Sequence, residues 1–294
     1  MANCQCIPDQ FKSIYEVEEA LEKAGLESAS LIIGIDFTKS NQWTGKHSFD
    51  GMNLHETRIQ TPNPYQQVIS VVGGTLLGYD DDKKISCFGF GDASTHDRKV
   101  FNFYHDGRPC DGIEGVLERY KELLPHIRLS GPTSFAPLIH AAIDIVKQSG
   151  GQYHILLIIA DGQVTGNNLH KGILSQQERE TIDAIVTASK YPLSIVMVGV
   201  GDGPWDMMEK FDDAIPTRKF DNFQFVNYTE IMDEYKDAAS RDTALAVEAL
   251  MELPEQYATV KCMDYVGEAC PKYNTSIVIP PPNYQPGACK RLTS

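Results

Sequence analysis

The chain has 294 residues, 42% hydrophobic and 22% charged, and carries a formal charge of −14 from 40 acidic and 26 basic side chains. Such a length buries a sizeable core, and the composition is that of an ordinary globular protein. The acidic balance excludes nucleic acid as an expected partner, as well as adhesion to anionic membranes by charge alone, because both require clustered Lys and Arg. No apolar run approaches the roughly 18 residues that would span a bilayer. Met1-Ala2-Asn3-Cys4-Gln5-Cys6 has neither the basic region nor the apolar core of a signal peptide, and neither end carries a lipidation signal, so no direct membrane anchor is expected. A cytoplasmic location follows by default, with the nucleus open to it. The seven cysteines form no C-x₂-C pair and read as free thiols.

In chain order, Phe11, Ile14, Val17 and Leu21 have helical spacing and predict a helix from about Pro8 to Gly25. Leu31 to Phe37 is an apolar run of the kind found in a buried strand. A helix through Tyr65, Val68, Ile69, Val72 and Leu76 follows, opened by Asn63-Pro64 as cap and first-turn proline. Ile85 to Phe90 predicts a second strand and Val100 to Tyr104 an edge strand. The acidic run Asp80-Asp81-Asp82 reads as a solvated turn. Helices are expected around Ile113 to Tyr120 and Leu138 to Val146, and a central strand from Tyr153 to Ala160. Ser175-x-x-Glu178 is a capping box that starts a helix running to about Lys190. Leu193 to Val200 and Phe223 to Val226 predict further strands, and one amphipathic helix is expected between Tyr228 and Leu253. Strands alternating with helices imply an α/β, Rossmann-like three-layer sandwich with a mostly parallel sheet. We expect a helical leader over residues 1–29, one α/β domain over 30–253, and a flexible tail over 254–294. That tail is rich in Pro, Tyr and Cys and has no helical periodicity beyond a strand at Ile277 to Ile279.

The first strand ends in Asp36-Phe37-Thr38-Lys39-Ser40. Side chains at alternate positions of an extended segment converge on one side, so Asp36, Thr38 and Ser40 meet beyond the strand's carboxyl end, where open α/β sheets place ligands. Oxygen-only groups suit a hard divalent cation; the same Asp and Ser equally suit the capping of a following helix. Two further edges carry matching oxygens: the loop Ser130 to Pro137, and the strand end Ile158-Ile159-Ala160-Asp161-Gly162.

Asp-x-Thr-x-Ser, then a loop Thr, then a strand-end Asp-Gly resembles the metal-ion-dependent adhesion site of von Willebrand factor A domains. The resemblance implies that Thr38, Ser40 and Thr133 supply neutral hydroxyls, and that Asp36 and Asp161 act directly or through water on Mg²⁺, Mn²⁺ or Ca²⁺. The docked ligand would be an Asp or Glu of a protein partner, which is binding and not catalysis. Ile35 to Asn41, Asn63-Pro64-Tyr65, Phe88 to Ala93, Gly131 to Pro137 and Gly199 to Gly203 are similar to the copine family over about residues 30–253. Gly91 to Asp97 and Ala160 to Thr165 look nearest to the copine-type domain of plant RING-finger ubiquitin ligases. Copines carry two C2 domains for which the roughly 30 leading residues leave no room, and Cys262, Cys270 and Cys289 without a histidine cannot build a RING. Membrane binding and ligase activity are therefore not expected of this sequence, although a role in ubiquitination through a partner is the alternative reading.

Other motifs carry less. Gly199-x-Gly201-x-Gly203 lacks the dinucleotide-loop spacing and reads as a turn. Asp36-Phe37-Thr38 faintly resembles the start of aspartate-nucleophile phosphatases, but Thr38 cannot replace their acidic second residue. His96 and Asp97 fall in a loop near the site and are candidates to tune partner recognition, or simply a solvated pair. Pro281-Pro282-Asn283-Tyr284 fits the P-P-x-Y pattern docked by WW domains.

Overall fold

A computed structural model describes residues 7, 10–166, 173–213, 215, 218–263 and 277–282. The sheet is built on β1 (Ser30–Asp36), β2 (Lys84–Phe90), β5 (His154–Ala160), β6 (Leu193–Gly199) and β7 (Phe223–Asn227), all parallel. β3 (Val100–Asn102) and the two-residue β4 (Cys110–Asp111) run antiparallel to β2, and β8 (Val278–Ile279) adds in parallel outside β3. The path is β7-β6-β5-β1-β2-β3-β8.

Both faces of the sheet are buried, which explains why its strands are continuously apolar in sequence. Side chains alternate between two cores. Leu31, Ile33 and Ile35 of β1, with Ile155, Leu157 and Ile159 of β5, enter one core. Ile32, Leu156 and Ile158 enter the other. Each fully buried Leu or Ile contributes about 1.5–3 kcal/mol. At Gly34 the sheet meets α5 (Ala136–Gln148) so closely that a Cβ would sit 2.1 Å from Leu138 Cδ2.

The remaining helices show where sequence patterning holds and where it slips. α1 (Ile14–Ala24) starts later than its apolar spacing suggests, because Ser13 Oγ accepts from Glu16 N–H at 3.3 Å and fixes the cap there. α2 (Pro64–Val68) has the Asn63 cap, completed as a capping box by Gln66, and continues through a π-turn over Ile69–Gly73 into α3 (Gly74–Leu76). α4 (Gly112–Leu123) and α6 (Gln176–Ala188) follow, the latter with the Ser175–Glu178 box in place. α7 (Asp206–Asp213) precedes β7. The single helix expected between Tyr228 and Leu253 is two, α8 (Tyr228–Glu234) and α9 (Ala238–Leu250), because Asp237 starts a new cap on Ser240 N–H at 2.9 Å.

Beyond it the expectation of no helix gives way to α10 (Leu253–Cys262), where Pro254 occupies the first turn and breaks nothing. α10 packs against α1: the Tyr257 hydroxyl and Lys261 Nζ donate to the carbonyls of Gly25 and Ala24 at 3.3 and 3.2 Å. No helix among the described residues is long and apolar enough to cross a membrane.

Candidate metal centre

Sequence order runs outward from β1 to β2 on one side and resumes at β5 on the other, so the topological switch point lies between β1 and β5. Ile35 pairs with Ile159, which brings the two strand ends, Asp36 and Asp161, side by side. The register thus assembles two carboxylates from segments 125 residues apart.

Around them the hydroxyls form one network. Thr38 N–H donates to Asp36 Oδ1 at 2.7 Å. The Thr38 and Ser40 hydroxyls lie 2.9 Å apart and both donate toward Asp161 Oδ1, at 3.2 and 3.1 Å. Thr44, which sequence reading missed, donates its hydroxyl to Asp161 Oδ2 at 2.5 Å. Thr38, Asp36 and Asp161 are buried, and Asp36 Oδ2 has no hydrogen-bond partner among the described residues. Burial, and then the charge of Asp161, pushes the Asp36 carboxyl well above the ordinary carboxylate range. Burial raises Asp161 as well, against the opposing side-chain bonds from Thr44, Ser40, Asp36 and Thr38.

The loop is held from below. Tyr65 donates its hydroxyl to Asn41 Oδ1 at 2.7 Å, and Asn41 Nδ2 donates to the Thr38 carbonyl at 3.0 Å. The His55 ring stacks between Tyr65 and Phe37, at centroid distances of 4.2 and 5.0 Å. Burial pushes His55 down to about 3, so the ring is neutral. Its Nε2 lies 2.9 Å from the Asp36 carbonyl, an acceptor only, which assigns the ring proton to Nε2. Nδ1 then accepts from the Tyr120 hydroxyl at 2.7 Å. Gly91, at φ 78°, closes the side: a Cβ there would lie 2.4 Å from Thr38 Cγ2.

Four of the five residues expected to hold metal, Asp36, Thr38, Ser40 and Asp161, therefore share one network. Thr133 stands on the bordering loop. That loop pairs with the Asp36 loop where Ser130 meets Thr38, and it joins the Asp161 loop through Thr133 N–H to Thr165 Oγ1 at 2.9 Å and Thr165 N–H to the Thr133 carbonyl at 3.1 Å. Its own hydroxyl lies outside the network. His96 Nδ1 is 3.1 Å from the Gly131 carbonyl on that same loop. Asp97 instead accepts from Gln177 Nε2 of α6 at 2.9 Å. In the P-P-x-Y segment Pro281 is buried and Pro282 half-buried, while Tyr284 lies outside the described residues.

The donor set fits a hard cation. It offers oxygens only, two acidic and the rest neutral, with one buried carboxylate oxygen unpartnered and two like charges side by side. Among the described residues no group of three or more His, Cys, Asp or Glu could hold a metal ion, so the hydroxyls of Thr38 and Ser40 would have to complete the set that Asp36 and Asp161 begin.

A family model described as Copine matches residues 53–269, three quarters of the chain though beginning beyond the Asp36 loop. The chain is 56% identical over 277 residues to the E3 ubiquitin-protein ligase RGLG1 of Arabidopsis thaliana, an alignment covering 94% of this chain and 56% of that protein. It is equally similar to RGLG4 of the same plant, covering 94% of this chain and 69% of that one. The chain thus spans 56% and 69% of the length of these two relatives. Among solved structures it is similar to a von Willebrand factor type A protein from Catenulispora acidiphila, with 13% identity, a TM-score of 0.44, and coverage of 80% of this chain and 43% of that one. With the family model matching most of its length, this chain belongs to the copine family.

Proposed function

We propose that the chain is a divalent-cation-dependent docking module that captures an acidic side chain of a protein partner. The observation that carries this reading is the buried Asp36 Oδ2, unpartnered among the described residues, beside Asp161, two carboxyls that no described ion pair neutralises. Asp36, Thr38, Ser40 and Asp161 would hold Mg²⁺ or Mn²⁺, with Thr133 on the bordering loop as the fifth oxygen. The bound ion supplies an electrophilic position that accepts a carboxylate in place of water. Neutral hydroxyls from Thr38 and Ser40 quench little of that charge, and the Tyr65–Asn41 bond fixes the Thr38 carbonyl so that the loop is ordered before the partner arrives. In this role the residues hold the partner without transforming it.

Calorimetry with Mg²⁺ or Mn²⁺ tests it. The wild-type chain is expected to bind and Asp36→Ala to lose binding while keeping its fold; equal binding by both sinks the assignment. A second reading, a role in ubiquitination, is favoured by the 56% identity to proteins named as ubiquitin ligases. Ubiquitin transfer assayed with this chain alone and with added ligases separates an activity of its own from one borrowed from a partner.

A further inference from the structure

We propose that the cleft beside the metal loop binds a second acidic side chain of the partner segment, next to an apolar one. This rests on the docking function above and names the partner's chemistry. The cleft encloses about 900 Å³. Lys39, Arg128 and His96 stand on it, and Leu124, Ile127 and Leu129 form an apolar wall. Among the described residues no Asp or Glu lines it, although the chain as a whole carries −14.

Lys39 and Arg128 are exposed, and among the described residues neither makes an ion pair. Their charge is therefore available to a partner. The cleft is also continuous with the metal centre. Lys39 lies between Thr38 and Ser40, and its N–H donates to the Ser130 carbonyl at 2.6 Å. Ala93 N–H donates to the Arg128 carbonyl at 2.9 Å. Residues 128–130 are thus a strip fastened on both sides, carrying Arg128 at a fixed offset from Asp36.

A single carboxylate on a cation distinguishes few proteins from one another, whereas two charges at a set spacing define register and exclude mismatched partners. The apolar wall gives an isolated small anion nothing to bury against but suits a Leu- or Ile-like neighbour of the acidic residue. An acidic peptide segment satisfies both parts of the cleft. Nucleic acid, repelled by the overall charge, does not.

The test is an array of short synthetic peptides with one fixed Asp, in which a second Asp is moved through the other positions. It is probed with the full chain in Mg²⁺ and in chelator, for wild type and Arg128→Glu. Wild type is expected to favour a second Asp at one spacing. Arg128→Glu is expected to lose that preference by about tenfold while its calorimetric Mg²⁺ affinity is unchanged. Identical peptide profiles for the two proteins overturn the proposal, as does the absence of peptide binding. Mg²⁺-dependent binding to the fixed Asp with no second preference overturns the cleft and spares the metal reading. A preference that depends on Arg128 but survives chelation supports the cleft and overturns the metal reading.

Discussion

Two buried polar clusters in this protein obey opposite rules. Arg218 Nη1 and Asp221 Oδ1 form an ion pair at 2.5 Å, with both side chains 2% exposed. Asp221 Oδ2 also accepts from Ile7 N–H, and Arg218 Nη2 donates to the Asp212 carbonyl at 2.7 Å. There the chain supplies both signs of charge. At the sheet's switch point, Asp36 and Asp161 share burial and sign; the donors around them are the Thr38 N–H on Asp36 and the hydroxyls of Thr38, Ser40 and Thr44 on Asp161. Burying charge without its counter-charge costs several kcal/mol per ion, so the first cluster is neutralised within the fold, whereas under the proposed function a bound cation would supply the counter-charge of the second.

The difference is sharpest under mutation. Arg218→Ala strands Asp221 and should cost about 3–5 kcal/mol in urea unfolding. Asp36→Asn removes one of two like charges and keeps the acceptor for Thr38 N–H, so the metal-free protein should be no less stable. A loss for Asp36→Asn as large as that for Arg218→Ala would mean that the two clusters do the same job. Next in size, Mg²⁺ at about a hundred times its dissociation constant should stabilise the wild type by about 2.7 kcal/mol over chelator; the same gain in Asp36→Asn would place the ion elsewhere. Thr44→Val deletes the shortest bond to Asp161 and should cost about 1 kcal/mol, with weaker Mg²⁺ binding by calorimetry. An unchanged Mg²⁺ affinity would show that Thr44 does not orient Asp161.

The smallest effect comes from His154, a buried group at the far end of β5. Its burial, partly offset by the bond to the Gln152 carbonyl, holds its pKa below the ordinary 6.5. The unfolded chain then takes up the proton first, so stability should fall as pH drops below 6.5. A His154→Gln variant with the same pH slope would assign that slope to other groups.

Much of the Asp36 loop is legible in sequence because its signals are local. The apolar run from Leu31 ends at Ile35, and Asp36, Thr38 and Ser40 alternate from there. Thr44 is silent there: its meaning comes from Asp161, 117 residues away, and nothing in its neighbours distinguishes it from a loop threonine. His55, Tyr65 and Tyr120 are hidden for the same reason, their stack being made by long-range packing. α10 escapes notice because its apolar residues do not form a stripe; Tyr257 packs edge-on to Tyr153 at 5.0 Å, and the helix is fixed by what it touches more than by its own spacing. The split of α8 from α9 was present as a cap, Asp237 to Ser240, inside a longer amphipathic pattern that masked it.

β8 bears on how the protein behaves in a crowd. A sheet edge left open presents a row of main-chain donors and acceptors on which another copy can add a strand. Here Val100 and Phe101 are matched to Val278 and Ile279, and Val100 N–H donates to the Ile277 carbonyl at 3.0 Å. β8 is itself the outermost strand, but at two residues it is a short selvedge, and a short border gives a neighbouring copy few main-chain groups to knit onto.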